Sequence, residues 1–448
     1  MSNTLLVDFG ASRLKVAICS LQKGKILDSA ECDAPKPQVG PNGEMEVAPE
    51  DYWNCLSNTA GILLDKYPET YQMWICAEMH GVLLLDANSL TPLTPYISWR
   101  DERASKKYGV EPSTYSQFIN NDFRDLFFSE TGQNLRMGLP YLTLAHLFRS
   151  GSIKSKAIKV CTLVDWILIR GGEKSPKIHA SLAAGTGLYS IDRGDWSDQL
   201  LDSPSINLVK NQFSRLARSG EKIGNISLKG YLLSVYGGLG DLQAAIHGAG
   251  LPKKGRLLVN LGTGSQVIGV TAAPISGVER RPGSQGDVFS AITHIPSGRG
   301  LNVFAQFIDQ CSSLGGGDAI FWKIFNELDV DEIINSKLTI DLNVFEASWR
   351  YLDGGSITQI NESNFTPRKF IAGLVKAWLT QYVNAMDLID SIGQIENFLV
   401  SGGLSRRGLF VLPVLERLSN RKGTLVATTT GEETLDGLLE LALENNAN

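Results

Sequence analysis

A carboxylate closing an apolar strand and followed at once by small residues is a place where phosphate chemistry can be done. Leu5-Leu6-Val7-Asp8-Phe9-Gly10-Ala11-Ser12 has that form. Asp8 can hold Mg²⁺ through water while backbone N–H groups of the turn hold phosphate, although an Asp there can equally be a turn former. Asp8-Phe9-Gly10 also spells the magnesium motif of protein kinases, but that motif lies deep in its domain, so at residue 8 the reading fails. A second carboxylate, Asp241, follows Gly237-Gly238-Leu239-Gly240, read as a glycine-rich loop delivering it to the start of a helix. There it can cap the helix or face a substrate that approaches bare backbone. Gly262-Thr263-Gly264-Ser265 lacks dinucleotide-fingerprint spacing, since Val267 stands where a third glycine belongs, yet its N–H groups can wrap a terminal phosphate. Ser401-Gly402-Gly403-Leu404-Ser405-Arg406 suits an adenosine lying on backbone, or a plain turn. Glu78-Met79-His80-Gly81 and Trp99-Arg100-Asp101-Glu102-Arg103 set polar groups beside Met and Trp at strand ends, as a hydroxylated ligand requires; a surface loop or ion pair is the other reading.

The elements that must position these residues show an internal echo. Leu5-Leu6-Val7-Asp8-Phe9-Gly10-Ala11-Ser12 recurs as Leu257-Leu258-Val259-Asn260-Leu261-Gly262-Thr263-Gly264, each followed by a second apolar stretch. The patterns predict strands over 4–8 and 14–20, repeated within 256–271, and hence two similar domains whose turns face each other across a cleft. Helical spacing covers 52–66, 140–149, 301–314, 367–389 and 409–418; strands are expected at 72–77, 81–86, 398–401 and 424–427. This alternation argues for an α/β architecture, with a boundary near 247–256, where turn formers meet charge.

Composition limits what the site can serve. At 448 residues, 43% hydrophobic and 20% charged, the chain can fill roughly two or three domain cores. Lys+Arg of 42 against Asp+Glu of 47 leaves a net charge of -5, which offers no field to gather nucleic acid or a membrane surface. No apolar run approaches the roughly 20 residues of a membrane span, and Asp8 breaks the start too early for a secretory signal, so a soluble cytoplasmic protein is expected. The six cysteines have no CxxC pair and read as small buried hydrophobes in a reducing compartment. The five histidines have no spacing for a transition-metal cage, so a metal would arrive with its ligand.

Taken in chain order, these segments resemble the FGGY carbohydrate kinases of the actin-like, ribonuclease-H-like ATPase superfamily. The resemblance covers nearly the whole chain. It rests on Asp8-Phe9-Gly10-Ala11-Ser12-Arg13-Leu14-Lys15, Met79-His80-Gly81, the 99–103 tract, Glu130-Thr131-Gly132-Gln133, Ala184-Gly185-Thr186-Gly187-Leu188 with Trp196-Ser197, Gly240-Asp241, Leu261-Gly262-Thr263 and Ser401-Gly402-Gly403.

The resemblance implies two ribonuclease-H-like domains, 1–248 and 249–448, with an interdomain cleft where ATP and Mg²⁺ meet a sugar hydroxyl. Asp241 matches the family's catalytic base and, with Asp8, its metal side. Gly10, Ser12, Arg13 and Lys15 belong to the first phosphate turn, Gly262 and Thr263 to the second, and Gly402, Gly403 and Arg406 to the nucleotide contact. Met79, His80, Trp99, Asp101 and Gln243 fall with Asp241 on the sugar side. Ala11 replaces a usual Thr, Glu78 a common Gln, and His179 stands where related members often carry an acid, departures that bear on specificity. The tracts at 184–188 and 240–243 lean to the sedoheptulokinase branch and Met79-His80 to xylulokinase, so a ketose is expected, sedoheptulose ahead of xylulose or ribulose. An inactive sugar- or nucleotide-sensing relative and an ATPase without a sugar acceptor are the rival classes. A homodimer is the default assembly.

Overall fold

Asn3–Phe9 (β1) and Arg13–Ser20 (β2) form an antiparallel hairpin that sets Asp8 directly opposite Lys15. The computed structural model describes residues 3–107, 112–119, 121–154, 157–251, 256–262, 265–271, 273–345, 348–391, 393–428 and 431–447. The chain divides into two units. Unit 1 comprises Met1–Gly250, Arg280–Val288 and Thr428–Asn448; unit 2 comprises Leu251–Glu279 and Phe289–Ala427.

In unit 1, Lys25–Asp33 (β3), Thr70–Ala77 (β4), Gly224–Leu228 (β5) and Tyr231–Gly240 (β6) complete a six-stranded sheet in the order β5-β6-β4-β1-β2-β3. β1, β4 and β6 run parallel, and the flanking strands antiparallel. β1 is an unbroken apolar run because both of its faces are covered. Leu5 and Val7 join the core of Leu56, Ala60 and Leu64 from helix α1 (Pro49–Lys66), which opens on a proline in the first turn, where its missing N–H costs nothing. Leu6 faces the other way, with Ala17, Trp74 and Cys76, toward Leu435, Leu438 and Leu439 of the C-terminal helix and Ala244 of the helix Asp241–Gly248. Strand alternation therefore turns Asp8, Lys15 and Cys76 toward that second face. These helices are labelled below, with the short helix Ala180–Gly185 as α2, as α3 (Asp241–Gly248) and α4 (Glu433–Ala447).

Unit 2 repeats the plan. Arg256–Asn260 (β7), Gln266–Val270 (β8), Glu279–Pro282 (β9), Val288–Thr293 (β10), Asn397–Ser401 (β11) and Lys422–Leu425 (β12) stand in the order β9-β10-β8-β7-β11-β12, of which Arg280–Pro282 and Val288 count with unit 1. β7 pairs antiparallel with β8 and parallel with β11, and β11 parallel with β12. The long helix Pro367–Ile389 buries Trp378, Leu379 and Tyr382 in a core with Leu257, Val259 and Val400. In each unit a hairpin extends to a third antiparallel strand on one side and to two parallel strands on the other. The echo in sequence is thus an echo in topology.

Some expectations need correction. The glycine-rich stretch before Asp241 is not a loop but the end of β6, where a register shift between Gly237 and Leu239 is absorbed by left-handed Gly237 (φ 81°) and Gly238 (φ 67°). β12 lies at 422–425 instead of 424–427, pairing with β11 in the same register direction. The cysteines are not all buried hydrophobes: Cys311 is exposed, and half-buried Cys32 and Cys55 bring their Sγ atoms to 2.9 Å. Among the described residues no helix is long and apolar enough to cross a membrane.

α3 and α4 cross so closely that a Cβ on Gly437 would run into the carbonyl of Ala244. Gly437→Ala should therefore cost about 2 kcal/mol, lowering the thermal midpoint by roughly 4–8 °C. An unchanged midpoint would show that the two helices are not packed backbone to backbone.

Candidate active site

Three parallel strands end side by side, with Phe9 paired to Ala77 and Ala77 to Gly240. The carboxyl ends of parallel strands are where open α/β sheets bind ligands. Asp8, one residue before the end of β1, is 2% exposed. Its Oδ1 accepts from Cys76 Sγ at 3.5 Å and its Oδ2 from Thr434 Oγ1 at 2.6 Å, while Lys15 Nζ stands 4.0 Å from Oδ2. Lys15 is also paired with Glu432. Burial pushes the Asp8 carboxyl above its ordinary range, and Thr434, Lys15 and Cys76 pull it part of the way back.

Asp241 is the first residue of α3 and not its cap, a position that Gly240 holds with no side-chain cap. Its Oδ1 accepts only locally, from the Leu242 N–H at 2.8 Å. Burial raises its pKa to about 7, and the negative charges of Asp8 and Glu78 add to that shift. Glu78 follows β4 and ties it to β1 by donating its N–H to the Phe9 carbonyl at 2.7 Å. The residue is 8% exposed, and its carboxyl takes the Tyr52 hydroxyl at 3.2 Å. Burial raises Glu78 too, against the opposing hydrogen bonds of Tyr96, Tyr52 and Trp99.

The sugar-side residues divide. Met79 packs against Gly240, where a Cβ would lie 2.6 Å from its sulfur and 2.5 Å from Gln243 Oε1. His80 has a left-handed backbone (φ 67°), a conformation costly without glycine, and its Nδ1 stands 2.7 Å from the Gly185 carbonyl. Arg136 Nη2 meets His80 Nε2 at 3.5 Å, and since Arg only donates, Nδ1 carries the proton given to Gly185. Gln243 is wholly buried; its Nε2 donates to the Pro282 carbonyl at 3.1 Å, and its Oε1 accepts no hydrogen bond among the described residues. Trp99 is 41% exposed, with the Arg100 guanidinium 5.0 Å above its ring. Asp101 is spent elsewhere: Oδ1 accepts from Arg103 N and Nε at 3.1 and 2.8 Å, and Oδ2 from Arg103 Nη2 and Met45 N, both at 2.8 Å. Arg103 continues to Glu46 at 2.7 Å, which makes this a buried structural ion pair, the bland reading of the tract.

The turns expected to hold nucleotide are also unequal. Gly10 N–H closes the first turn onto the Arg13 carbonyl at 3.0 Å. Ser12 and Arg13 are exposed, and Arg13 reaches Glu31 at 2.5 Å and Asp33 at 3.9 Å on β3, not the Asp8 side. In unit 2, Asn260 pairs with Ser401 across β7 and β11. The segments that follow stay joined, Leu261 N–H giving to the Ser401 carbonyl at 2.9 Å and Leu404 N–H to the Leu261 carbonyl at 3.0 Å. Gly402 adopts φ 88°, and a Cβ there would lie 2.6 Å from the Leu261 carbonyl, so only glycine fits. Gly262 and Gly402 are thereby brought together, Gly403 is exposed, and Arg406 bonds the Val426 carbonyl at 3.1 Å. Thr263 lies outside the described residues.

Sequence reading missed Thr434 and Cys76. Nothing local signals Thr434, whereas Cys76 could have been found from the parallel register that sets it beside Asp8. Among the described residues no group of three or more His, Cys, Asp or Glu stands ready to hold a metal ion.

A sheet plan present twice, with carboxylates at the ends of parallel strands in one copy and glycine turns in the other, is the two-domain fold of the actin-like ATPases. The chain belongs to the FGGY family of carbohydrate kinases, whose N-terminal-domain model matches residues 3–248. It is 25% identical over 284 residues to the apulose kinase of Pectobacterium atrosepticum, covering 60% of this chain and 55% of that protein; it thus spans about half the length of this curated relative. In fold it is similar to the gluconate kinase of Lactobacillus acidophilus, with a TM-score of 0.82 and 16% identity over 100% of this chain and 90% of the other. The Plasmodium falciparum glycerol kinase with ADP gives a TM-score of 0.80 at 15% identity, covering 98% and 89%.

Because burial lifts Asp8, Glu78 and Asp241 above their unfolded values, the folded chain binds more protons there, and stability falls as pH rises through that window. For Asp241 the window runs from its ordinary 3.8 to about 7. Without nucleotide or metal, Asp241→Asn should melt close to wild type near pH ~4 and several degrees above it near pH ~8. Equal midpoints at both pH values would show that Asp241 is not buried against like charge.

Proposed function

We propose that the chain transfers the γ-phosphoryl group of ATP to a hydroxyl of a small carbohydrate. The observation that carries this reading is Asp241, a carboxylate raised to about 7 at a strand end and served by local backbone amides. A group with that pKa can take the hydroxyl proton near neutral pH, and phosphoryl transfer asks little more of the protein than position and charge neutralisation. Asp8 and Asp241 suit Mg²⁺: both are oxygen donors lifted by burial, faced at Asp8 by one ammonium at 4.0 Å. Two carboxylates suffice for an ion that keeps waters and takes phosphate oxygens. When bound it would neutralise charge on the transferring group.

Gly10, Ser12 and Lys15 in unit 1, and Gly262, Gly402 and Gly403 in unit 2, are assigned to the nucleotide, with Thr263 and Arg406 beside them. Arg13 is a weaker assignment given its pairing with Glu31. On the sugar side, Met79 offers an apolar face, while His80 and the unpaired Gln243 Oε1 offer polar contacts. Asp101 serves through Arg103 by fixing the tract that carries Trp99. A ketose, with sedoheptulose ahead of xylulose or ribulose, rests on the 184–188 and 240–243 tracts; relatives named for apulose, gluconate and glycerol keep the class to small polyhydroxylated acceptors. Dependence on ATP goes with a cytoplasmic setting, and a homodimer is the default assembly.

A coupled ADP-release screen over ketoses, aldoses and polyols with Mg²⁺ should show turnover only with a narrow set of acceptors, and Asp241→Asn should reduce it by roughly 10²–10⁴-fold. The sugar kcat/KM should rise with pH and level off above about 7 as Asp241 loses its proton. ATP hydrolysis indifferent to added carbohydrate would replace this reading with that of a simple ATPase; nucleotide binding without turnover would make the chain a sensor.

A further inference from the structure

We infer that Ser181 and His179 are positioning residues that fix Asp241 by holding the peptide N–H immediately before it. Gly240 cannot be fixed by a side chain of its own, since any Cβ would press on Met79 and Gln243. Its N–H instead donates to Ser181 Oγ at 2.9 Å. Ser181 Oγ lies 2.8 Å from His179 Nδ1, and the Ser181 N–H donates to the same nitrogen at 3.1 Å. A nitrogen that accepts a backbone N–H carries no proton. The Ser181 hydroxyl must therefore donate to His179, which frees its lone pairs for Gly240 and places the imidazole proton on Nε2. Burial keeps the ring neutral by lowering its pKa to about 4. His179 and Ser181 are 4% and 0% exposed, so water cannot substitute for either partner.

The chain of donors is thus unidirectional, Gly240 N–H to Ser181 Oγ–H to His179 Nδ1. The other side of Asp241 is held by Arg280–Val288, a segment that returns to unit 1 from far along the chain, since the Pro282 carbonyl accepts from Gln243 Nε2 at 3.1 Å. Residues one before and two after Asp241 are therefore both tethered. The carboxylate stands at the first position of a helix with no side-chain cap, just past the last residue of β6 that pairs with β4. Small errors in such a placement cost rate far more than binding.

The inference rests on the kinase reading, and two readouts separate their failures. Ser181→Ala and His179→Leu should lower kcat about tenfold or more, with the KM values for sugar and ATP within about twofold of wild type. His179→Asn, whose Oδ1 replaces Nδ1 as acceptor, should stay within about threefold of the wild-type kcat. Amide exchange resolved at Gly240, measured without substrates, should quicken about tenfold in the first two variants and not in His179→Asn. Unchanged Gly240 protection in Ser181→Ala overturns the hydrogen-bond chain whatever the activity. Faster exchange with an unchanged kcat leaves only a structural role and overturns the positioning claim, as does equal loss in His179→Asn and His179→Leu. If Ser181→Ala does not fold, the His179 pair decides by the same criteria. If wild type phosphorylates no carbohydrate, the kinase reading falls and takes the positioning role with it, while the exchange result still judges the chain.

Discussion

The constraint on which unit 1 depends is the burial of carboxylates with too few donors to satisfy them. Asp165 shows the ordinary solution: it is 2% exposed, but Thr162 N and Oγ1 meet Oδ2 at 2.8 Å each and Ser214 Oγ meets Oδ1 at 2.5 Å. Asp101 shows another, a bidentate arginine with a second carboxylate behind it. Asp241, partly exposed, has neither, only local backbone amides, with the charges of Asp8 and Glu78 against it. Removing charge from water without partners is costly, so such a group persists only where the rest of the fold over-determines its place. The β-ladder does so for Asp8 and Glu78, whose backbones are held by strand pairing and by the Glu78 N–H to Phe9 bond. Asp241 lies just beyond its strand and has to be held by other means.

The two sheets show how one plan gives different chemistry. Both hairpins lead into parallel strands, and in both the segments after the first and fourth strands of the plan lie side by side. In unit 1 the paired residues near these strand ends are Asp8 and Cys76, with Glu78 two residues further on. In unit 2 the equivalent pair is Asn260 and Ser401, which bond each other at 3.2 Å and are followed by glycine. Amide and hydroxyl satisfy one another and leave backbone exposed, whereas carboxylates leave charge. The division between an acidic end and a backbone-lined end therefore follows from side chains at equivalent topological places, with no change in the sheet.

Much of this was legible in sequence because strand burial leaves a local record. The runs at Leu5 and Leu257, the helix at 367–389 and the carboxylate at Asp8 could be read from period and termini alone. The stretch before Asp241 could not: three glycines spell a loop locally, and only pairing with β4 keeps them in a strand with a bulge. Asp101 was ambiguous for a related reason. Its partner Arg103 was visible two residues away, but the saturation of both oxygens depends on Met45 N–H and on Glu46 backing the arginine, both more than fifty positions earlier. Cys32 and Cys55 gave no spacing signal, because a strand and a helix bring them together.

What sequence order conceals most is that unit 1 is assembled from three separated stretches, so that Asp8 meets its Thr434 partner across 426 positions. Leu435, Leu438 and Leu439 of α4 cover the face of β1 that carries Leu6, and Glu432 engages Lys15. The surroundings that set the charge state of Asp8 therefore do not exist until the last stretch of the chain docks. The same holds at the other carboxylate, where Arg280–Val288 must arrive before Gln243 Nε2 finds its acceptor. Closing contacts this distant is slow and entropically expensive, and a chain gains from it only if the parts held together must not move independently. Here each returning stretch ends on a group that touches a carboxylate or the residues flanking it, which ties the charge and geometry of the site to completion of the whole fold.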